Sequence, residues 1–216
     1  MHMFSVRHLC RQGLVLLFAC TMSFSSLAQQ SEAQASLKKI LGELTSYKAD
    51  FVQKIVDAQG EVLQQSEGKI WLNKPKQLRW EVSKPDESLF VADGEVIFNV
   101  DHFVEQVSLI DQESIVDNNP LMLLISDDES AWQGITVSQA GTDYVLDSKD
   151  VNTNIVQLRL SFENKVLAAL VSVDRQQQRN EITFLNRVLN PEIPQNTFVP
   201  NYPNSYLIDD QRKANP

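Results

Sequence analysis

Cysteine is nearly absent from this chain. Its 216 residues include two, Cys10 and Cys20, both within the first twenty. Histidine is almost as scarce, with three in all and only His102 beyond residue 8. Downstream of residue 28 there is therefore no thiol nucleophile, no zinc site of the Cys/His type and no multi-histidine metal centre. Glycine is sparse, seven residues that never cluster, so no phosphate-cradling loop is present. No Gly-x-Ser-x-Gly elbow accompanies His102. Basic residues are outnumbered, 19 Lys and Arg against 28 Asp and Glu, a net charge of −9. An acidic chain repels the phosphate backbone and anionic lipid headgroups, so neither nucleic acid nor an anionic membrane surface is an expected partner.

The amino terminus has its own organisation. Residues 1–13 carry Arg7 and Arg11 and no acid, Leu14 to Cys20 is apolar, and Ser26-Leu27-Ala28 places small residues before Gln29. These three regions make a secretory signal peptide over 1–28, with cleavage after Ala28. The apolar run is too short to cross a bilayer. Leu17-Phe18-Ala19-Cys20 is a competing lipidation signal, with Phe18 a poor fit. Loss of Arg7 and Arg11 takes the net charge from −9 to −11 and removes both cysteines. The exported domain, 29–216, then relies on a packed core without disulfides.

Ser31 to Gln34 fits a capping box, and Leu37, Ile40, Leu41 and Leu44 follow at helical spacing, which predicts an amphipathic helix over 31–45. The period then switches to two. Tyr47, Ala49, Phe51 and Ile55 alternate with polar residues, as do Leu78, Trp80 and Val82, then Val156 to Phe162, then Ile182 and Phe184. Further strands are expected at 68–73, 88–92, 95–100, 134–139 and 144–148, punctuated by Gln59-Gly60, Lys74-Pro75, Asp93-Gly94 and Gly141-Thr142. The result is a mainly β protein built as an antiparallel meander or barrel. Val166 to Val171 is apolar without alternation, so both faces of that strand should be covered. Asn119-Pro120 opens a short apolar helix through Leu121, Met122, Leu123 and Ile125. The proline-punctuated tail from Asn190 reads as an extended wrap with a short strand near 206–209.

Acidic clusters at Asp86-Glu87, Asp127 to Glu129 and Asp209-Asp210 sit at turns or the tail and read as solvated charge; neither a catalytic residue nor a cofactor is indicated. What remains is apolar surface on one sheet face and on two helices. It forms either an ordinary core or a shell around an apolar ligand.

Phe51-Val52-Gln53-Lys54, Gly68 to Trp71, Lys74 to Trp80, Pro85 to Ser88, Asp93-Gly94, Pro120 to Leu123 and Ile208 to Arg212, taken in order, resemble the LolA family of periplasmic outer-membrane lipoprotein carriers. The resemblance implies an incomplete antiparallel β-barrel, a half-barrel, closed by an α-helical lid. It implies a cavity for lipoprotein acyl chains lined by Leu37, Leu41, Phe51, Ile55, Leu78, Trp80, Val82, Leu121, Met122, Leu123 and Ile125. It also implies cargo accepted from the inner-membrane complex LolCDE and delivered to the outer-membrane receptor LolB by a monomeric, non-enzymatic carrier. The family's arginine latch before the proline corresponds here to Lys74, with Arg79 the other candidate. Lysine donates to carbonyls but lacks the planar fork. A lipid-binding or envelope-stress-sensing half-barrel domain is the alternative reading.

Overall fold

The computed structural model describes residues 23–114, 124, 132–150 and 153–213, with side chains from Glu32 onward. One long helix, α1 (Ser23–Glu43), precedes twelve strands: β1 (Ser46–Val56), β2 (Val62–Asn73), β3 (Gln77–Lys84), β4 (Ser88–Ala92), β5 (Val96–Asp101), β6 (Gln106–Asp111), β7 (Ile135–Ala140), β8 (Asp143–Ser148), β9 (Ile155–Glu163), β10 (Val166–Asp174), β11 (Arg179–Leu189) and β12 (Leu207–Asp210). All twelve belong to one sheet in the order β12-β6-β5-β4-β3-β2-β1-β11-β10-β9-β8-β7. Two meanders are joined where β1 pairs with β11, Phe51 opposite Phe184. Strands β7 and β12 stand at the two ends of this order without pairing to each other, so the barrel is open. The expected half-barrel with a helix against it is what the chain builds.

Three local readings need correction. The helix begins at Ser23, not at the Ser31 capping box, because no proline or glycine interrupts 23–41 and the backbone runs through. It ends at Glu43, where Leu44 N–H donates to the Leu41 carbonyl and closes a tight last turn. Second, the cover expected on both faces of β10 is partial: a register shift falls between Leu167 and Ala169, Leu167 and Leu170 join the concave core, Ala168 is buried outside that core, and Ala169 and Val171 are half-buried. Third, one strand pair is parallel: β12 lies beside β6, Leu207 opposite Gln106. Strand β6, with Gln106-Val107-Ser108-Leu109 alternating over only four residues, was not expected.

The two faces of the sheet have separate cores. On the concave face, Leu37, Leu41 and Leu44 of α1 pack with Tyr47, Phe51, Ile70, Leu72, Leu78, Ile97, Leu160, Leu170, Ile182 and Phe184. On the convex face of β3–β6, Leu89, Val91, Val100 and Val107 are covered by Phe198, with Ile193, Tyr202 and Tyr206 of the tail beside it. The tail is extended around its prolines but is interrupted by a 3-10 turn, Gln195–Phe198, which seats Phe198 on this face and which the expected extended wrap did not include.

Two positions fix the strands closely. A Cβ on Gly68 would lie 1.9 Å from the Glu81 carbonyl oxygen and 2.8 Å from the Phe51 ring. Backbone on one side and an aromatic ring on the other leave room for hydrogen only. Tyr47 is buried and donates its hydroxyl to the Leu167 carbonyl at 2.7 Å, tying β1 to β10 across the core. Burial pushes its phenol pKa up, against a smaller opposing effect of Arg187.

Gly68→Ala is expected to destabilise the fold by about 1–3 kcal/mol, the usual range for overpacking. A melting temperature equal to wild type would show that β2 and β3 can part without cost. For Tyr47, a folded pKa above the unfolded value contributes stability below pH 10 that is lost as pH rises further. Tyr47→Phe should therefore lower stability at neutral pH by about 1 kcal/mol and flatten its alkaline decline. Denaturant titrations at pH 7 and pH 10.5 measure both.

Candidate functional site

Alternation along β1 sends Tyr47, Ala49 and Phe51 into the concavity, and register carries that face across the sheet: Phe51 faces Gly68, Gly68 faces Val82, and Ile70 faces Trp80. The Phe51 and Trp80 rings stack with centroids 3.6 Å apart and planes at 19°. The bare Gly68 backbone makes room for that stack. Of the residues expected to line the site, Leu37, Leu41, Phe51 and Leu78 are buried in one cluster, with Trp80 and Val82 half-buried against it. Ile55 is half-buried farther along the same strand face and is not part of the cluster. Leu121, Met122, Leu123 and Ile125 lie outside the described residues. Their neighbour Leu124 is helical, fully buried and joined to the same concave core.

The helix lays its apolar stripe on this face, and polar contacts among the described residues flank the stripe. Ser36 Oγ and the Tyr144 hydroxyl are hydrogen-bonded at 2.8 Å. Lys38 Nζ stands 5.1 Å from the Trp132 ring centroid. At the carboxyl end, Lys74 Nζ donates to the Leu41 carbonyl at 3.0 Å, and Lys74 N–H donates to the Thr45 carbonyl at 2.8 Å. A cation at a helix carboxyl terminus also meets the negative end of the helix dipole. Lys74 thus meets the last turn of α1 from the β2–β3 turn. Arg79 does not: it points to the convex face, paired with Glu81 at 2.8 Å, with Trp71 5.8 Å away and the Thr197 carbonyl at 3.4 Å. Odd and even residues of β3 face opposite ways, which separates Arg79 from Leu78 and Trp80.

One contact went unforeseen. Asn190, at the end of β11 with φ of 54°, accepts the backbone N–H groups of Thr45 and Ser46 at 2.9 and 3.2 Å and donates to the Glu43 carbonyl at 3.0 Å. It brackets the joint between α1 and β1. The Asn190-Pro191 dipeptide, a turn signal, was the available clue. Among the described residues no cluster of His, Cys, Asp or Glu is placed to hold a metal ion.

The profile of the family described as outer membrane lipoprotein carrier protein LolA matches residues 42–201. The chain belongs to the LolA family. It is 34% identical over 201 residues to the outer-membrane lipoprotein carrier protein of Pseudoalteromonas translucida, covering 92% of this chain and 95% of that one. The corresponding protein of Idiomarina loihiensis is 33% identical over 201 residues, covering 93% and 99%. An uncharacterised conserved protein of Thermus thermophilus shares the fold with a TM-score of 0.53 at 12% identity, covering 83% of this chain and 99% of that one. The LolA family is one of carriers, not enzymes. Among the described residues no helix is long and apolar enough to cross a membrane.

Lys74→Met is expected to speed amide hydrogen exchange in the last turn of α1 by about fivefold, the equivalent of one net hydrogen bond, while Lys74→Arg leaves it unchanged or slower. Equal exchange in the Met variant and wild type would show that Lys74 does not hold the helix.

Proposed function

We propose that the protein is a periplasmic carrier that takes lipoproteins from LolCDE, shelters their acyl chains on the concave face and passes them to LolB. The observation that carries this reading is the helix itself. Its stripe of Leu37, Leu41 and Leu44 covers the apolar face, while its polar contacts among the described residues include the Ser36–Tyr144 hydrogen bond, the Lys74–Leu41 bond, the Lys165–Glu43 ion pair and the Asn190 bracket. Such a helix can be exchanged for another apolar object at modest cost. Each buried methylene contributes about 0.8 kcal/mol, so a fatty chain supplies on the order of 10 kcal/mol, enough to displace these ties and to keep cargo out of water. The helix recovers its place when cargo leaves, which keeps the empty trough covered.

Export is part of the same proposal. Cleavage after Ala28 shortens α1 but leaves Ala33, Leu37, Leu41 and Leu44 in place, all of them buried in the concave core. The named similarity of the relatives to lipoprotein carriers supports the cargo class, and the family resemblance supports LolCDE and LolB as donor and acceptor.

Two measurements test this. The purified exported protein should release lipoprotein from inner-membrane vesicles supplied with LolCDE and ATP, then surrender it to LolB; no release in the presence of an active complex would overturn the proposal. Trp80→Asp, folded as judged by circular dichroism, should bind a fluorescent fatty-acyl probe at least tenfold more weakly, because an unpaired charge in an apolar site is costly. Unchanged affinity would place the acyl chains elsewhere.

A further inference from the structure

The concave face is not apolar throughout. Gln53 follows Phe51 by two residues and so shares its face; register sets Ser66 and Ile182 opposite Gln53, and Ser172 opposite Asn180. These side chains form a connected polar cluster. Ser66 Oγ donates to Gln53 Oε1 at 3.0 Å, and Gln53 Nε2 donates to Asn180 Oδ1 at 2.8 Å. Ser66 and Ser172 are buried, 6% and 3% exposed, and Gln53 and Asn180 are half-buried, whereas Gln65 next in sequence to Ser66 is exposed. The cluster thus lies inside the trough and is not part of its solvated outer surface. Its direction of donation ends at Asn180, whose side-chain NH2, with the second N–H of Gln53, has no partner among the described residues. The Phe51–Trp80 stack and Ile182 adjoin it as the apolar floor.

A floor that takes hydrocarbon, beside a half-buried row of neutral N–H donors, is complementary to an amphiphile whose chains are joined through carbonyl groups. We propose that Gln53 and Asn180, oriented by Ser66, form a subsite for the ester carbonyls that link fatty chains to glycerol in an acylated ligand. The donors are uncharged, so the subsite suits an uncharged link and not a phosphate headgroup, which would call for Arg or Lys. The subsite fixes the depth at which the chains stop, with the Phe51 side holding hydrocarbon and the Asn180 side holding the link. This inference rests on the carrier reading and adds to it a choice among lipids that an apolar trough alone cannot make.

The test uses two ligands of equal chain length, a diacylglyceryl-cysteine peptide with ester links and its dialkyl ether analogue, each displacing a fluorescent acyl probe. In the variant Gln53→Met/Ser66→Ala/Asn180→Leu the ester-to-ether affinity ratio should fall about fivefold from its wild-type value, the effect of roughly one net hydrogen bond, while affinity for the ether changes little. Asn180→Leu alone, a single change at a half-buried position, should give part of the same fall and guards against misfolding of the triple variant. A ratio unchanged in both variants overturns the subsite and leaves the carrier reading standing. Failure of both ligands to bind wild type overturns the carrier reading and the subsite with it.

Discussion

The structure depends on the contact between the apolar stripe of α1 and the concave face of an open sheet. A closed barrel would satisfy its own interior, and an open sheet cannot. The exposed trough must be covered by something apolar, and in the ligand-free chain the cover is Leu37, Leu41 and Leu44. This contact contributes to stability, and in the proposed carrier it occupies the surface that cargo would take. On that proposal stability and function compete for the same face, and the strength of the cover sets the affinity left for a ligand.

The polar contacts around the helix are graded to suit this competition. At the carboxyl end of the helix, the Lys74 ammonium bonds the Leu41 carbonyl, where an arginine would offer a planar fork of donors. Asn190 is bonded to both sides of the joint, to Glu43 before it and to Thr45 and Ser46 after it. Movement of α1 about this joint can release Leu41 from Lys74 while Asn190 keeps Thr45 and Ser46 at the head of β1. The second core, beneath the tail residues Phe198 and Tyr202, lies on the opposite face and stays intact through such a movement. The sheet can thus remain rigid while its concave side changes cover.

Much of this was legible in the sequence because one-sided burial writes itself as alternation. Leu78, Trp80 and Val82 share a face, and their alternation with Arg79 and Glu81 was enough to place them. The stripe of α1 was equally plain, but its start was not, since a Ser-x-x-Gln pattern within a run of good helix formers looks the same at a cap and in an interior turn. Strand β6 escaped notice because its alternation is short: Val107 and Leu109 are buried under the tail, and Ile110 breaks the pattern on the other side. Lys74 could be placed through the family resemblance, as local sequence does not distinguish a latch from a turn lysine. The bonds of Asn190, marked in sequence only by the turn signal Asn190-Pro191, and the Gln53–Asn180 contact arise where β1 meets β11, strands separated by most of the chain, so local sequence does not show them.

The central claim is that helix and acyl chains exclude one another from the concave face. Because Cys10 and Cys20 both precede residue 29, the exported chain carries no thiol of its own, and spin labels at Lys39→Cys on α1 and Lys54→Cys on β1, both exposed positions, are unambiguous. Their separation, measured by double electron–electron resonance, should be a single short distribution in the free protein and should move to longer distances in proportion to occupancy as a diacylglyceryl-cysteine peptide is added. Saturating ligand with an unchanged distance distribution would contradict the account, for it would mean that chains bind while α1 still covers the sheet.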